Sequence, residues 1–258
     1  MCAPSLWFEE LAHVERLDIL GFKQSELTSM EARSSWKGAV SNADVLIIGG
    51  GGLLEIDFFR SGFDYISQNR KIGSKLVLWG AGHNNWQIGD WRKLKQSVSI
   101  DHFGFDMIGI RDFNQGHRWV PCASCMAPEF DTKPEPAHDI VIYAHAATLK
   151  NPKLASSLPS GLPILDNQAP FKEVIDFLAS GDLVLTDSFH GMYWATLLGR
   201  RAIAFPSSSK FYTSRHPMPL CDPSDWKAFT SMAQRYPDAL AECREENLKF
   251  SKKVFQWI

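Results

Sequence analysis

The sequence predicts an α/β protein made of two open, mostly parallel sheets, and three observations predict it. Short apolar strand patterns alternate with helical ones through roughly the first hundred residues, a proline-rich stretch then breaks the alternation, and beyond it the alternation restarts. A chain of 258 residues has the length for one large domain or two small ones, and the break favours two halves, residues 1–130 and 131–258.

In order, residues 7–16 read as a helix, 17–22 as a short strand and 27–39 as a helix. Val45-Leu46-Ile47-Ile48 is a continuous apolar run bounded by polar and glycine residues, which predicts a buried strand over 44–48 ended by Gly49-Gly50-Gly51-Gly52. A helix over 58–69 leads to a second buried strand, 75–79, that runs into Gly80-Ala81-Gly82-His83-Asn84. Ile108-Gly109-Ile110-Arg111-Asp112 repeats the design in weaker form. Pro128, Pro134 and Pro136 fall within nine residues, which neither a helix nor a central strand accommodates, so 128–136 reads as the hinge. Next come a strand over 139–143 and a helix whose face is Phe171, Val174, Ile175 and Leu178. A strand over 182–186, a helix over 192–198 stopped by Gly199, and a strand over 202–205 complete the second half, with a helical tail over 225–235 and 237–255.

The formal charge of −2 argues against a nucleic-acid or membrane-surface binder, since both partners select basic stripes. No apolar run approaches the roughly 20 residues that span a bilayer. The first ten residues lack the basic and apolar regions of a secretory signal, and five cysteines is an odd number, so reduced thiols in a cytoplasm are expected. Cys122 and Cys125 form a lone C-x-x-C with no second pair at zinc spacing; buried structural thiols are the expectation and no metal site is assigned.

Open α/β sheets bind ligands beyond the carboxyl ends of their strands, and four motifs fall at such ends. Thr186-Asp187-Ser188-Phe189-His190-Gly191 joins a buried strand to a helix start, where free N–H groups and the helix dipole favour a phosphate or carboxylate. His190 there suits a donor to the anion, a general acid, or a structural bridge between loops. Asp187 and Ser188 suit substrate contact or helix capping equally. Gly50 and Gly51 permit close approach of backbone to a ligand or serve a tight turn, and Gly80, Gly82 and His83 invite the same comparison with a slight tilt to function. Arg111 has the planar fork that holds an oxyanion, the alternative being an ion pair with Asp112 or Asp106. Lys210, Arg215 and His216 either extend a basic lip or are solvated. Trp79, Trp86, Trp91 and Trp194 are open to sugar stacking or core packing, and no acceptor is read from them.

Taken in order, Asp44-Val45-Leu46-Ile47-Ile48-Gly49-Gly50-Gly51-Gly52-Leu53-Leu54, Leu78-Trp79-Gly80-Ala81-Gly82, Gly109-Ile110-Arg111-Asp112 and Leu183-Val184-Leu185-Thr186-Asp187-Ser188-Phe189-His190-Gly191 through Gly199-Arg200 resemble the polysaccharide pyruvyl transferase family. The resemblance implies a GT-B-like fold of two Rossmann-like halves facing a cleft, and transfer of the pyruvyl group of phosphoenolpyruvate to hydroxyls of a glycan precursor as a ketal, in exopolysaccharide biosynthesis. It implies no metal and no organic cofactor. It gives His190 and Arg111 the catalytic roles, acid and anion clamp, with Phe189 lining the same pocket. Family members open with a strand and an N-x-G-D loop, whereas Cys2-Ala3-Pro4-Ser5-Leu6-Trp7-Phe8 looks like the segment just after that loop, so the N-terminal half is expected to lack its first strand. Two other functions fit the same fold: a glycosyltransferase using a sugar nucleotide, and a degenerate glycan- or phosphate-binding member.

Overall fold

A computed structural model of the chain describes residues 14–17, 19, 30–86 and 100–258. The described chain divides into two compact units, and each has its own parallel sheet. The helix and strand expected over 7–16 and 17–22 lie largely outside the described residues, as does the expected missing first strand; residues 14–16 carry no regular structure.

Unit 1 takes the described residues up to 85 together with 100–124 and 245–258. Helix α1 (Met30–Asn42) precedes β1 (Val45–Gly49), then β2 (Gly52–Leu54), α2 (Asp57–Asn69), β3 (Lys75–His83), β4 (Met107–Ile110) and β5 (Arg118–Trp119). The strand order is β1-β3-β4-β5, with β2 also pairing β3, and every pairing is parallel. The central strand β3 explains the apolar run: Leu76 and Leu78 enter one core with Ile48, Phe63, Ile66 and Phe103, whereas Val77 and Trp79 enter another with Val120, Phe250 and Val254. A strand covered on both faces has no polar side to alternate with.

Two expectations about unit 1 need correction. The strand expected to end at Trp79 continues to His83, because a bulge shifts its register between Trp79 and Ala81 and Gly80 takes up φ +66° there. The glycine run ends β1 as expected, and the separate short strand β2 begins at Gly52. The tail also divides differently from the expected boundary: residues 245–258 belong to unit 1, since Phe250 and Val254 of α8 (Ala239–Val254) cover the Val77–Trp79 face.

Unit 2 takes residues 86 and 125–244 among those described. The expected hinge is part of it: Phe130 is fully buried against Phe171, and Arg244 donates to the Cys125 and Ala127 carbonyls at 2.8 and 3.1 Å and to Asp131 Oδ1 at 2.5 Å. After β6 (His138–Ala144) come α3 (Ala146–Lys150), α4 (Pro152–Ala155), β7 (Ile164–Asp166), α5 (Phe171–Ser180), β8 (Gly181–Thr186), α6 (Phe189–Leu197) and β9 (Arg201–Ala204). The four strands are parallel in the order β7-β6-β8-β9. Ile142, Ala144, Leu183, Leu185 and Ile203 share one core. Helix α5 buries Val174, Ile175 and Leu178, three of the four residues of its expected face, and Gly199 follows α6 with φ +68°, as a stop signal requires. The tail is less helical than expected: only α7 (Trp226–Phe229) and a 3-10 turn, Thr230–Met232, form within 225–235.

Asp182 at the start of β8 accepts from Arg201 Nε at 3.0 Å and is also paired with Arg235. Burial alone would raise its pKa, but the two guanidiniums hold it below the ordinary carboxylate value. An acid depressed in the folded state contributes stability above its unfolded pKa and loses it as pH falls through the folded one. Asp182→Asn is therefore expected to lower the urea midpoint at about pH 7, with the difference from wild type shrinking toward about pH 3.

Candidate functional site

The expected site residues divide between the two units, with one strand-end cluster in each. In unit 1, Gly50 and Gly51 take φ +69° and +81° in the turn after β1, and this turn is tied to β3: Gly50 N–H donates to the Trp79 carbonyl at 3.0 Å and Gly82 N–H to the Gly51 carbonyl at 2.9 Å. His83 N–H donates to Asp112 Oδ2 at 2.9 Å, and its Nε2 lies 3.7 Å from Asp112 Oδ1. Arg111 lies across this corner, 6% exposed, its Nη2 donating to the His83 carbonyl at 3.5 Å. Burial lowers its pKa from the ordinary value, with Asp112 and Cys122 opposing. A Cβ on Gly82 would sit 2.3 Å from Arg111 Nε, so only glycine lets the guanidinium lie on the strand. Of the two carboxylates weighed for Arg111, Asp112 is the neighbour; Asp106 is engaged by Arg70 at 2.8 Å, Lys75 at 3.4 Å and the Leu76 N–H at 2.9 Å.

In unit 2 the sheet order places a reversal between β6 and β8, because the chain leaves β6 for β7 on one side and then crosses to β8 on the other. At such a switch point the connecting loops part and leave a crevice at the carboxyl ends of the strands. Asp187 and His145 occupy it, one directly after each strand. Asp187 is buried, its Oδ1 accepting from the His145 N–H at 2.8 Å and its Oδ2 from the Thr148 hydroxyl. Ser188 caps α6, its Oγ accepting from the Gly191 N–H at 3.4 Å, and its own N–H donates to Thr186 Oγ1 at 3.0 Å. Ser188 is thus the helix cap that the capping alternative expected, whereas Asp187 caps no helix and braces the loop after β6.

Helix α6 is buried at every residue except His190. The imidazole stacks on Trp194, ring centroids 4.8 Å apart and 24° between planes, and meets Phe189 edge-on at 5.6 Å. No protein-family model, curated protein or solved structure matches the chain. Its chemistry is therefore read from this geometry: a partly exposed imidazole stacked on an indole in the first turn of a nine-residue helix that follows β8.

Gly191 makes that placement possible. A Cβ there would lie 2.3 Å from Thr186 Oγ1 and 2.6 Å from Tyr143 Cδ1, so α6 approaches β8 and β6 only without a side chain at this position. Gly191→Ala is expected to cost about 1–3 kcal/mol by overpacking, read as a lower urea midpoint at unchanged slope.

His145 is the residue that the motifs did not flag. It is half-buried; burial holds its pKa below the ordinary value, Lys210 pushes the same way, and Asp187 opposes both. Tyr143 beside it is pushed up to about 12 by burial, with Asp166 and Asp187 adding to the shift. The signal was available, since His145 follows a predicted strand at its carboxyl end as Arg111 and Asp187 do. Arg215 and His216 are not a free lip: Arg215 Nε and Nη2 donate to Glu242 Oε1 at 3.0 and 2.9 Å, and His216 Nε2 lies 2.7 Å from Glu242 Oε2. Trp79 is core and Trp194 lies under His190, whereas Trp86 is 67% exposed; Trp91 lies outside the described residues. Cys122 and Cys125 are buried thiols outside any disulfide, and no group of three or more metal-ligating side chains forms among the described residues. Nor is any described helix long and apolar enough to cross a membrane.

Proposed function

We propose that the protein is a pyruvyl transferase of the polysaccharide type, carrying the pyruvyl group of phosphoenolpyruvate to two hydroxyls of a glycan as a ketal. The observation that carries this reading is His190: the one accessible residue of an otherwise buried helix, opening that helix at the switch-point crevice. The motif around it, Thr186-Asp187-Ser188-Phe189-His190-Gly191, is also the segment most similar to that family. Within the GT-B-like architecture that the resemblance implies, two parallel-sheet units are the required parts.

The chemistry asks for a proton donor above an anion-friendly crevice. On this reading the imidazolium of His190 protonates C3 of the enol, which becomes the methyl carbon, while one sugar hydroxyl adds to C2 and its proton returns to the imidazole. A second hydroxyl then replaces the phosphate at C2, so two C–O bonds form, one C–O bond to phosphate breaks, and phosphate leaves with the remaining proton. Phe189 stacks on Tyr193 with ring centroids 6.1 Å apart, and His190 rests on Trp194, so aromatic faces hold the acid in place. Arg111, to which the resemblance gives the clamp, is bound into the unit 1 corner with Asp112 and His83, and unit 2 alone supplies the groups invoked here.

Ligand-dependent thermal unfolding tests the reading, because a ligand that binds only the native state raises the midpoint with its concentration. Phosphoenolpyruvate is expected to raise the midpoint of wild type, and that of His190→Ala nearly as much. A rise with a UDP-sugar and none with phosphoenolpyruvate would assign the crevice to a nucleotide-sugar enzyme instead.

A further inference from the structure

Three arginines gather where β8 and β9 begin, at the end of the unit 2 sheet away from the crevice: Arg200 and Arg201 lead into β9, and Arg235 comes from the loop before α8. Asp182 and Asp187 stand at opposite ends of β8, about 16 Å apart at the rise of an extended strand. Asp182 is shared by two of the three guanidiniums. Its Oδ2 accepts from Arg201 Nε at 3.0 Å, and its Oδ1 accepts from Arg235 Nη2. Arg235 Nη1 donates to the Gly199 carbonyl at 2.6 Å, so that guanidinium lies against the peptide leading into Arg200.

Arg200 is the unusual member, being only 6% exposed. Among the described residues its side chain makes one hydrogen bond, from Nη2 to the Pro134 carbonyl; its Nε is buried with none, and it forms no ion pair. A guanidinium stays charged at any physiological pH and is almost never buried without a counter-charge. Burial and Arg235 both lower its pKa, with Asp182 and Glu135 opposing. Asp182 is already engaged twice, and Glu135 is exposed with no ion pair among the described residues. The corner therefore carries more guanidinium than carboxylate, in a chain of net charge −2. It is also open: no atom lies within 4 Å of where a Cβ on Gly199 would stand.

We propose that Arg200, Arg201 and Arg235 form a phosphate-binding site at the amino ends of β8 and β9, taking free phosphate or the phosphate monoester of a small ligand. A dianion matches the excess charge, and its several oxygens accept from guanidiniums that approach from different sides. Arg200 gains the charged acceptor it lacks, while Arg201 and Arg235 keep Asp182 and offer their remaining N–H groups. The site does not rest on the pyruvyl-transfer reading, whose crevice lies at the other end of the same strands.

Arginine side-chain NMR of the full chain, with inorganic phosphate as the probe, tests the site. Phosphate is expected to shift the Nε–H resonances of Arg200 and Arg235 saturably, and Arg200→Lys and Arg235→Gln identify them by their loss. In calorimetric titration, Arg235→Gln is expected to weaken phosphate binding about tenfold, whereas Lys172→Met on exposed α5 leaves it unchanged. Glu135→Gln removes an acid that already attracts Arg200 and is expected to strengthen binding about threefold. Arg235→Gln leaves Asp182 its Arg201 partner, so its far-UV circular dichroism is expected to match wild type, and its result stands even where Arg200→Lys fails to fold. Competition by glycerol 1-phosphate keeps the site and assigns it to phosphate monoesters; its absence keeps the site for the free anion. Shifts that persist in His190→Ala support a site apart from the crevice, and their loss there would place the phosphate in the crevice and overturn this one. Resonances that phosphate does not move, or that sodium chloride moves as much at equal ionic strength, overturn the site, as does wild-type phosphate affinity in Arg235→Gln.

Discussion

His190→Ala is expected to lower turnover about 10²–10⁴-fold, the usual contribution of a positioned general acid. The imidazole rests on the Trp194 indole at the start of α6, so removing it takes the proposed proton donor and leaves Asp187 and Ser188 in place. Because the proton moves only in the transition state, kcat falls while the apparent affinity for phosphoenolpyruvate changes little more than the loss of one ring contact requires. The rate is read as phosphate released from phosphoenolpyruvate with a pool of glycan acceptors. An unchanged urea midpoint shows that the variant still folds, and an unchanged rate would remove His190 from the mechanism.

Trp79→Ala is expected to destabilise the native state by about 3–5 kcal/mol, at the upper end for a buried aromatic. The side chain is 1% exposed and meets Phe250 edge-on at a centroid distance of 5.1 Å. Its Nε1–H donates to Asn247 Oδ1 at 2.8 Å, and the Asn247 Nδ2 in turn donates to the Pro121 carbonyl at 3.2 Å. Alanine leaves both a cavity beneath α8 and a fully buried amide oxygen without its donor. Trp79→Phe keeps one aromatic ring while losing the N–H and part of the indole volume, so it leaves a smaller cavity and the same orphaned amide oxygen, and it is expected to cost about 1–3 kcal/mol. Urea unfolding of the two variants beside wild type measures both numbers.

The longer strands of both sheets were legible because a doubly covered strand is an uninterrupted apolar run, and Val45-Leu46-Ile47-Ile48 and Leu183-Val184-Leu185 are such runs. The extension of β3 past Gly80 was not, because a bulge is a property of the pairing with β4 and not of the glycine. Strands as short as β2 and β5 carry too few residues for a period to register. The end of the tail packs in the other half from the one expected, since an amphipathic helix shows that it covers an apolar face without showing which one; Phe250 and Val254 cover Val77 and Trp79. At the site, the Asp187-to-Gly191 motif was visible as a strand-to-helix junction. The bracing of Asp187 by the His145 N–H was not, because it depends on β6 and β8 being neighbours, at a separation of 42 residues in the chain.

Calorimetric titration of the full chain with phosphoenolpyruvate tests the central claim most directly, with His190→Ala and a UDP-sugar run in parallel. Saturable binding of phosphoenolpyruvate to wild type and to His190→Ala, with the UDP-sugar silent, is the predicted result. Absence of any phosphoenolpyruvate binding to wild type would contradict it.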